Sequence, residues 1–414
     1  MSVTTTSTIN NQPLHSNVQI GIIGAGAMGA GIAHVAAMAG YKVMLYDNNK
    51  TALDKSIKNL DATLIKLVEK NKIDAATSKK IKERIQFVNE LKSFTNCKLV
   101  IEAIIENLEI KQKIFSELET IVSNDTILAS NTSSLSIASI ASACKNPERV
   151  IGIHFFNPAP IMPLVEIIPA ITTKSLFVEK ATSIIDSWGK TTVLTKDTPG
   201  FIVNRVARSY YGESIRIYEE GIADFATIDW AMKSVGGFKM GPFELMDFIG
   251  NDINYKVTES VWEQFFYEPR FKPSLTQKRL YEAKLFGRKS GKGYYDYFAG
   301  AVLPLPKKDE ELAKNIFYRV IAMLINEAID SVYLGLATKE DIDLAMVKGV
   351  NYPKGLLAWA DSLGLTNILD LLTNLHKDYN EERYRPCILL KNMVKENKTF
   401  YAQQDTPEGK KVIK

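Results

Sequence analysis

Of the four histidines in this chain, His15, His34, His154 and His376, one stands where a base would be useful. His154 ends the apolar run Val150–Ile153 and precedes Phe155-Phe156-Asn157-Pro158. That run reads as a buried strand, and ligands of doubly wound sheets gather beyond the carboxyl ends of the strands. An imidazole there suits removal of a hydroxyl proton, because its free pKa lies near neutrality. A carboxylate on the other ring nitrogen would fix the tautomer and stabilise the imidazolium. Glu166 is the candidate partner. It lies inside Leu164-Val165-Glu166-Ile167-Ile168, and a buried glutamate is costly unless paired. The other histidines read differently: His15 sits in a polar leader, His34 packs inside a first helix, and His376 lies in the helical part.

A proton acceptor is useful only beside a reaction, and Gly24-Ala25-Gly26-Ala27-Met28-Gly29 points to one. Val18–Ile23 precedes it as a strand and a small-residue helix follows to about Ala39. In this pattern Gly24 permits the tight turn, Gly26 lets the backbone approach a pyrophosphate, and Gly29 lets helix and strand pack closely. The second strand, Tyr41–Tyr46, ends at Asp47. A carboxylate there accepts hydrogen bonds from ribose hydroxyls and repels a 2′-phosphate. Asn48, Asn49 and Lys50 follow, with no arginine to receive that phosphate, so NAD is expected rather than NADP.

The elements that must hold these groups alternate. Helical spacing covers 50–70 and 74–84. Further strands are expected at Lys98–Ala103, Ile127–Ser130, Val150–Phe155, Leu164–Ile168 and Val193–Thr195. Strands alternating with helices imply a mostly parallel α/β sheet covered on both faces. Thr198-Pro199-Gly200 ends this regime, and the rest reads as helical. The 414 residues exceed one compact core, so two or three domains are expected. A net charge of only +4 leaves no basic stripe for nucleic acid. No apolar run reaches the ~18 residues of a membrane helix. Cys97, Cys144 and Cys387 form neither a disulfide framework nor a metal-ligand pattern, so no metal is expected. The leader carries no arginine and resembles no targeting signal; a cytoplasmic protein is expected.

The helical part repeats itself. With Arg205 set on Arg319, a shift of 114 residues, Glu213 meets Glu327, Asp229 meets Asp343, and Gly241, Asp247 and Gly250 meet Gly355, Asp361 and Gly364. The expected layout is a leader over 1–16, the dinucleotide-binding domain over 17–197, one helical copy over 198–298, a linker over 299–314, a second copy over 315–402 and a tail over 403–414.

Five stretches carry a family resemblance: Gly24–Ala33, Val100–Glu109, Ser130–Leu135, Gly152–Glu166 and Asp197–Arg205. Gly241–Gly250 and Gly291–Tyr294 extend it into the first helical copy. Together they resemble the (S)-3-hydroxyacyl-CoA dehydrogenase family. The resemblance implies a Rossmann-type sheet followed by two tandem all-α domains, an acyl-CoA substrate, and NAD-dependent oxidation of its 3-hydroxyl or the reverse. It makes His154 the base and Glu166 its orienting partner. It assigns Ser133 and Asn204 to the substrate oxygen, although Ser133 also suits a helix cap within Asn131–Ser134. It brings Gly24, Gly26, Ala27, Met28, Gly29, Asp47, Glu106, Lys111, Asn131, Asn157 and Lys289 to the dinucleotide. Thr63 and Lys70 fall where the family meets coenzyme A. Thr63 departs from the usual serine, and Lys66, Lys70 and Lys72 also read as a solvated face.

The second copy departs from the family pattern: Tyr318 stands where Asn204 does in the first. It is expected to be structural, giving a chain that is a monomer with an internal pseudo-dimer, with a homodimer kept open. A short acyl group such as 3-hydroxybutyryl is favoured. The alternatives are a 3-hydroxyadipyl-CoA dehydrogenase, a gulonate-type dehydrogenase of free hydroxy acids, and a non-catalytic NAD-binding protein.

Overall fold

The computed structural model describes residues 18–401. The leader with His15 and the tail over 403–414 lie outside the described residues. Eight strands form one sheet: β1 (Gln19–Ile23), β2 (Lys42–Tyr46), β3 (Ile85–Val88), β4 (Cys97–Glu102), β5 (Ile127–Ser130), β6 (Val150–Phe155), β7 (Leu164–Pro169) and β8 (Thr191–Leu194). Their order is β3-β2-β1-β4-β5-β6-β7-β8. Neighbours from β3 to β6 pair in parallel, and β7 runs antiparallel to β6. The order reverses at β1, which is flanked by β2 and β4. Ligands of such sheets bind at the carboxyl ends beside that reversal.

β5 and β6 are buried along their whole length, and β1 and β4 nearly so. This is why their sequences read as continuous apolar runs rather than alternations. Ile22, Leu45, Ile101 and Ile151 from the strands share one core with Ile32, Phe177 and Trp188 from the covering helices. Burial of each such side chain stabilises the unit by ~1.5–3 kcal/mol. Strand β3 is an addition to the sequence reading. Its four residues include exposed Gln86 and follow a charged helix, so no run is long enough to signal a strand. The last strand starts at Thr191, two residues before the expected Val193.

The chain divides into two compact units between Thr192 and Val193, upstream of the Thr198-Pro199-Gly200 turn. The physical reason is local. Lys196 donates its backbone N–H to Leu336 (2.9 Å) and its Nζ to the Leu334 carbonyl (3.2 Å), which commits this stretch to the helical unit. A helix begins inside the expected linker span 299–314. Asp309 accepts from the Leu312 N–H and caps a helix over Glu310–Tyr333.

The two helical copies pack together within one compact unit. The long helix Glu310–Tyr333 packs on Arg208–Glu219 and Phe225–Ser234. The pairing is reciprocal: Arg205 Nε meets Glu327 at 2.5 Å, and Arg319 Nε meets Glu213 at 2.6 Å. Residue i of one copy contacts residue j of the other, and the reverse holds, as across a twofold interface. Inside each copy the same device recurs. Asp229 accepts from the N–H groups of Phe243 and Glu244, and Asp343 from those of Leu357 and Ala358. Gly241 and Gly355 are required there, because a Cβ on either would collide with the aspartate. Asp247 and Asp361 likewise accept pairs of backbone N–H groups from later segments of their copies.

Candidate active site

The glycine turn between β1 and the helix Ala27–Met38 is shaped by three different constraints. Gly24 has φ +103°, and a Cβ there would strike the Ala103 carbonyl oxygen. A Cβ on Gly29 would overlap the Gly24 carbonyl oxygen, whereas one on Gly26 would meet nothing within 4 Å. The turn is therefore closed toward the protein and open toward the helix N-terminus. Gly26 caps that helix without a side-chain hydrogen bond, so its first N–H groups face outward as an anion cradle.

A cavity of about 870 Å³ opens at this point, lined among others by Gly24, Gly26, Ala27, Met28, Asp47 and Asn131. Its size is that of a cofactor cleft. At its rim Asp47 is fixed by two backbone donors, Ala25 N–H to Oδ2 (2.7 Å) and Asn49 N–H to Oδ1 (2.8 Å). A carboxylate offers about four acceptor positions, so capacity remains for ribose hydroxyls. An open cradle, an uncapped helix N-terminus and an anchored carboxylate together fit a dinucleotide.

His154 is the penultimate residue of β6, beside Glu166 of antiparallel β7; the two residues are cross-strand partners in the register. Nδ1 of His154 lies 2.7 Å from Oε2 of Glu166. Glu166 is fully buried and His154 is 6% exposed. With the Glu166 carboxylate as acceptor, Nδ1 is the donor of this contact. The ring of Phe156 lies 4.5 Å from the imidazole, centroid to centroid.

The loop after β5 is tied to the same strand end. Asn131 Oδ1 accepts from the Phe155 N–H at 2.8 Å, next to His154. Glu106 holds the following residues, accepting from Thr132 Oγ1 (2.5 Å), the Ser133 N–H (3.0 Å) and Ser134 Oγ (3.0 Å). Burial pushes the Glu106 carboxyl up, but Lys111 and these three donors outweigh it and hold the group below its ordinary value. Ser133 is not a helix cap. The following helix, Ile137–Ala141, is capped by Ser136, which accepts from the Ser139 N–H.

Two expected cofactor contacts have other occupations. Lys111 is 1% exposed and pairs with Glu102 at 2.6 Å and Glu106 at 3.3 Å. Neither Glu106 nor Lys111 lines the cavity; Ile110, Lys113 and Glu117, which share the helix Leu108–Ile121 with Lys111, do. The physical reason is helical phase, since residues two apart point to different faces. Asn157 is exposed just beyond β6. Thr63 and Lys70 share a face of the helix Lys50–Glu69 and its cap. Thr63 borders a cavity of about 200 Å³ with His34, Ser56 and Asn59. His34 packs there, and burial pushes its pKa down.

Asn204 and Lys289 belong to the second unit. Asn204 lies in the short helix Val203–Val206, and its carbonyl accepts from Arg208 Nε at 2.8 Å. Lys289 is paired with Asp252 at 2.5 Å. The three cysteines are buried and unbridged, no His/Cys/Asp/Glu group among the described residues could hold a metal ion, and no described helix is long and apolar enough to cross a membrane.

Glu102 is the residue that motif reading passed over. It is fully buried at the end of β4 and accepts from Lys111, from Ser130 Oγ (2.7 Å) and from the Ile104 N–H (2.7 Å). The signal that marks Glu166, an acid inside an apolar run, applies equally to Glu102 in Leu99–Ala103.

Residues 19–198 match the 3-hydroxyacyl-CoA dehydrogenase NAD binding domain. Residues 200–297 and again 316–406 match the C-terminal domain of the same family. The chain is 39% identical to the 3-hydroxyadipyl-CoA dehydrogenase of Escherichia coli K12, over 91% of this chain and 97% of the relative. It is 40% identical to a probable 3-hydroxybutyryl-CoA dehydrogenase of Deinococcus radiodurans, over 68% of this chain and 100% of the relative. The crystal structure of an Escherichia coli K12 3-hydroxybutyryl-CoA dehydrogenase superposes with a TM-score of 0.86 at 39% identity, covering 92% of this chain and 99% of that one.

Proposed function

The chain belongs to the 3-hydroxyacyl-CoA dehydrogenase family and is an NAD-dependent enzyme of that kind; from that premise we propose which residues perform the reaction and on which thioester. His154 is the base. Its Nε2 takes the proton of the substrate 3-hydroxyl as the C3 hydride departs, and returns it to the carbonyl oxygen in the reverse direction. NAD, when bound, supplies the hydride acceptor. Glu166 holds Nδ1–H and balances the charge that the imidazole gains. Ser133 stabilises the substrate oxygen, and Asn204 carries the same assignment from its motif. Asp47 and the Gly24–Gly29 turn bind the dinucleotide, while Thr63 and Lys70 meet the coenzyme A portion. The observation that supports this reading is the 2.7 Å contact between a strand-end imidazole and a buried carboxylate.

The substrate proposed is a short 3-hydroxyacyl-CoA such as 3-hydroxybutyryl-CoA. A second reading, 3-hydroxyadipyl-CoA, is favoured by one observation: the relative of that name aligns over 91% of the chain, both helical copies included. The test is loss of NADH absorbance with acetoacetyl-CoA, with 3-oxoadipyl-CoA and with a free oxo acid. Turnover of acetoacetyl-CoA with the highest kcat/KM supports the first reading. A higher kcat/KM for 3-oxoadipyl-CoA replaces it with the second. Reaction of the free acid alone would remove the thioester assignment.

The second helical copy is structural in this reading. The reciprocal pairs Arg205–Glu327 and Arg319–Glu213 fill within one chain the kind of surface that two chains would otherwise share. Light scattering at micromolar concentration is expected to return the mass of one chain. A stable mass of two chains would contradict this.

A further inference from the structure

We propose that the helical unit carries a binding site for a small carboxylate, in a cavity between its two copies and separate from the dehydrogenase residues. The cavity measures about 460 Å³ and is lined among others by Arg205, Phe265, Arg270, Leu334, Arg385 and Lys391.

The protein itself displays such a carboxylate at the matching point of the other side. Arg319 gives Nε to Glu213, stacks on the Tyr379 ring at 5.0 Å, and holds Glu220 in two parallel bonds, Nη1 to Oε2 at 2.8 Å and Nη2 to Oε1 at 2.9 Å. Tyr379 adds its hydroxyl to the same Glu220 at 2.8 Å. A planar guanidinium and a carboxylate joined in this way form one of the stronger ion pairs available to a protein.

The shift of 114 residues carries each of these groups to the other side. Arg319 becomes Arg205, Glu213 becomes Glu327, Tyr379 becomes Phe265, Tyr384 becomes Arg270, and Glu220 becomes Leu334. The correspondence is geometric as well. Arg205 gives Nε to Glu327 and stacks on Phe265 at 4.9 Å. Arg270 meets Glu327 at 3.0 Å, as Tyr384 meets Glu213 at 2.7 Å. The bidentate carboxylate has no counterpart. Leucine stands in its place, the tyrosine hydroxyl that supported it is missing, and the cavity opens there.

The charges around the cavity favour an anion. Arg205, Arg270, Arg385 and Lys391 face Glu268, Glu327 and Asp330, and Arg385 also pairs with Glu382 at 3.6 Å. Glu327 is already shared by Arg205 and Arg270, and Asp330 reaches the same two arginines only at 3.5 and 3.3 Å. The Arg270 side chain is 6% exposed, and its Nε is buried with no hydrogen-bond partner among the described residues. The helix Ile388–Lys395 also begins at the cavity wall, at Cys387 without a side-chain cap, so its first N–H groups add to the positive side. A small free carboxylic acid, entering as its anion, would complete the fork that Glu220 completes on the other side.

The test uses the whole chain and succinate as the probe, with inorganic phosphate at equal ionic strength. Calorimetric titration of the wild type is expected to give saturable succinate binding, tighter than phosphate. Leu334→Glu supplies the missing carboxylate from within. It is expected to raise the melting temperature and to weaken succinate by ~10-fold or more. Leu334→Gln, which adds bulk without charge, is expected to retain more of the binding than Leu334→Glu. Lys391→Ala, on an exposed residue, is expected to weaken binding without loss of the fold. No saturable heat in the wild type would overturn the proposal. So would equal succinate affinity in Leu334→Glu, or phosphate binding as tight as succinate.

Discussion

His154→Gln is expected to lower turnover by ~10²–10⁴-fold while leaving NADH affinity within a few-fold of the wild type. Glutamine is close to histidine in reach and can keep a hydrogen bond to Glu166, so the strand end should hold its shape. What it cannot do is accept a proton near neutral pH. The glycine turn and Asp47 do not depend on the imidazole: Asp47 is anchored by Ala25 and Asn49, and the turn by steric fit against Ala103. Binding and chemistry should therefore separate, with kcat falling and cofactor affinity preserved. Stopped-flow hydride transfer with fluorescence titration of NADH measures both. Near-normal turnover in the variant would take His154 out of the mechanism.

Lys111→Met is expected to destabilise the sheet unit by ~3–5 kcal/mol. The methionine fills much of the lysine's volume, so the cost is electrostatic rather than a cavity. Lys111 and Glu102 are both within 1% of complete burial and 2.6 Å apart. Removing the ammonium leaves Glu102 with Ser130 Oγ and the Ile104 N–H as donors, but with no buried countercharge. Glu106 loses its cation as well, and with it part of its hold on Thr132 to Ser134. Thermal unfolding without ligand should show a lowered first transition, and adding Glu102→Gln should recover most of the loss, because breaking a buried pair costs far more than replacing it. A change below ~1 kcal/mol would mean that water reaches Glu102.

How much of this was legible in the sequence differs from residue to residue. Glu166 announced itself because an acid inside an apolar run must be paired, and the strand pattern put His154 at a carboxyl end. The glycine turn was legible because Gly24 and Gly29 answer steric demands that no other residue meets, while Gly26 keeps the cradle open. The helical repeat was legible because Asp229 and Asp343, with Gly241 and Gly355, serve one cap geometry that tolerates few substitutions. Lys111 shows the opposite case, for its burial and pairing with Glu102 are not legible in the sequence. Lysine in a helix is usually solvated, and helical phase turns it inward here while Lys113 turns toward the cavity. The Ser136 cap was missed because several serines in a row offer the same local chemistry, and only the backbone chooses among them. The difference between the two Arg–Glu pairs could not be read at all. Phe265 for Tyr379 and Leu334 for Glu220 are unremarkable substitutions until the fold sets both beside an arginine. Pairings of that kind depend on contacts distant in sequence, which periodicity does not report.

The relay between His154 and Glu166 is tested most directly by a double-mutant cycle on kcat/KM with acetoacetyl-CoA, using His154→Gln, Glu166→Gln and both together. If Glu166 acts through the imidazole, its substitution is costly in the wild type and nearly silent once His154 is gone, so the double variant matches His154→Gln. Losses that multiply, or full activity in Glu166→Gln, would show that the carboxylate and the imidazole do not work as one unit.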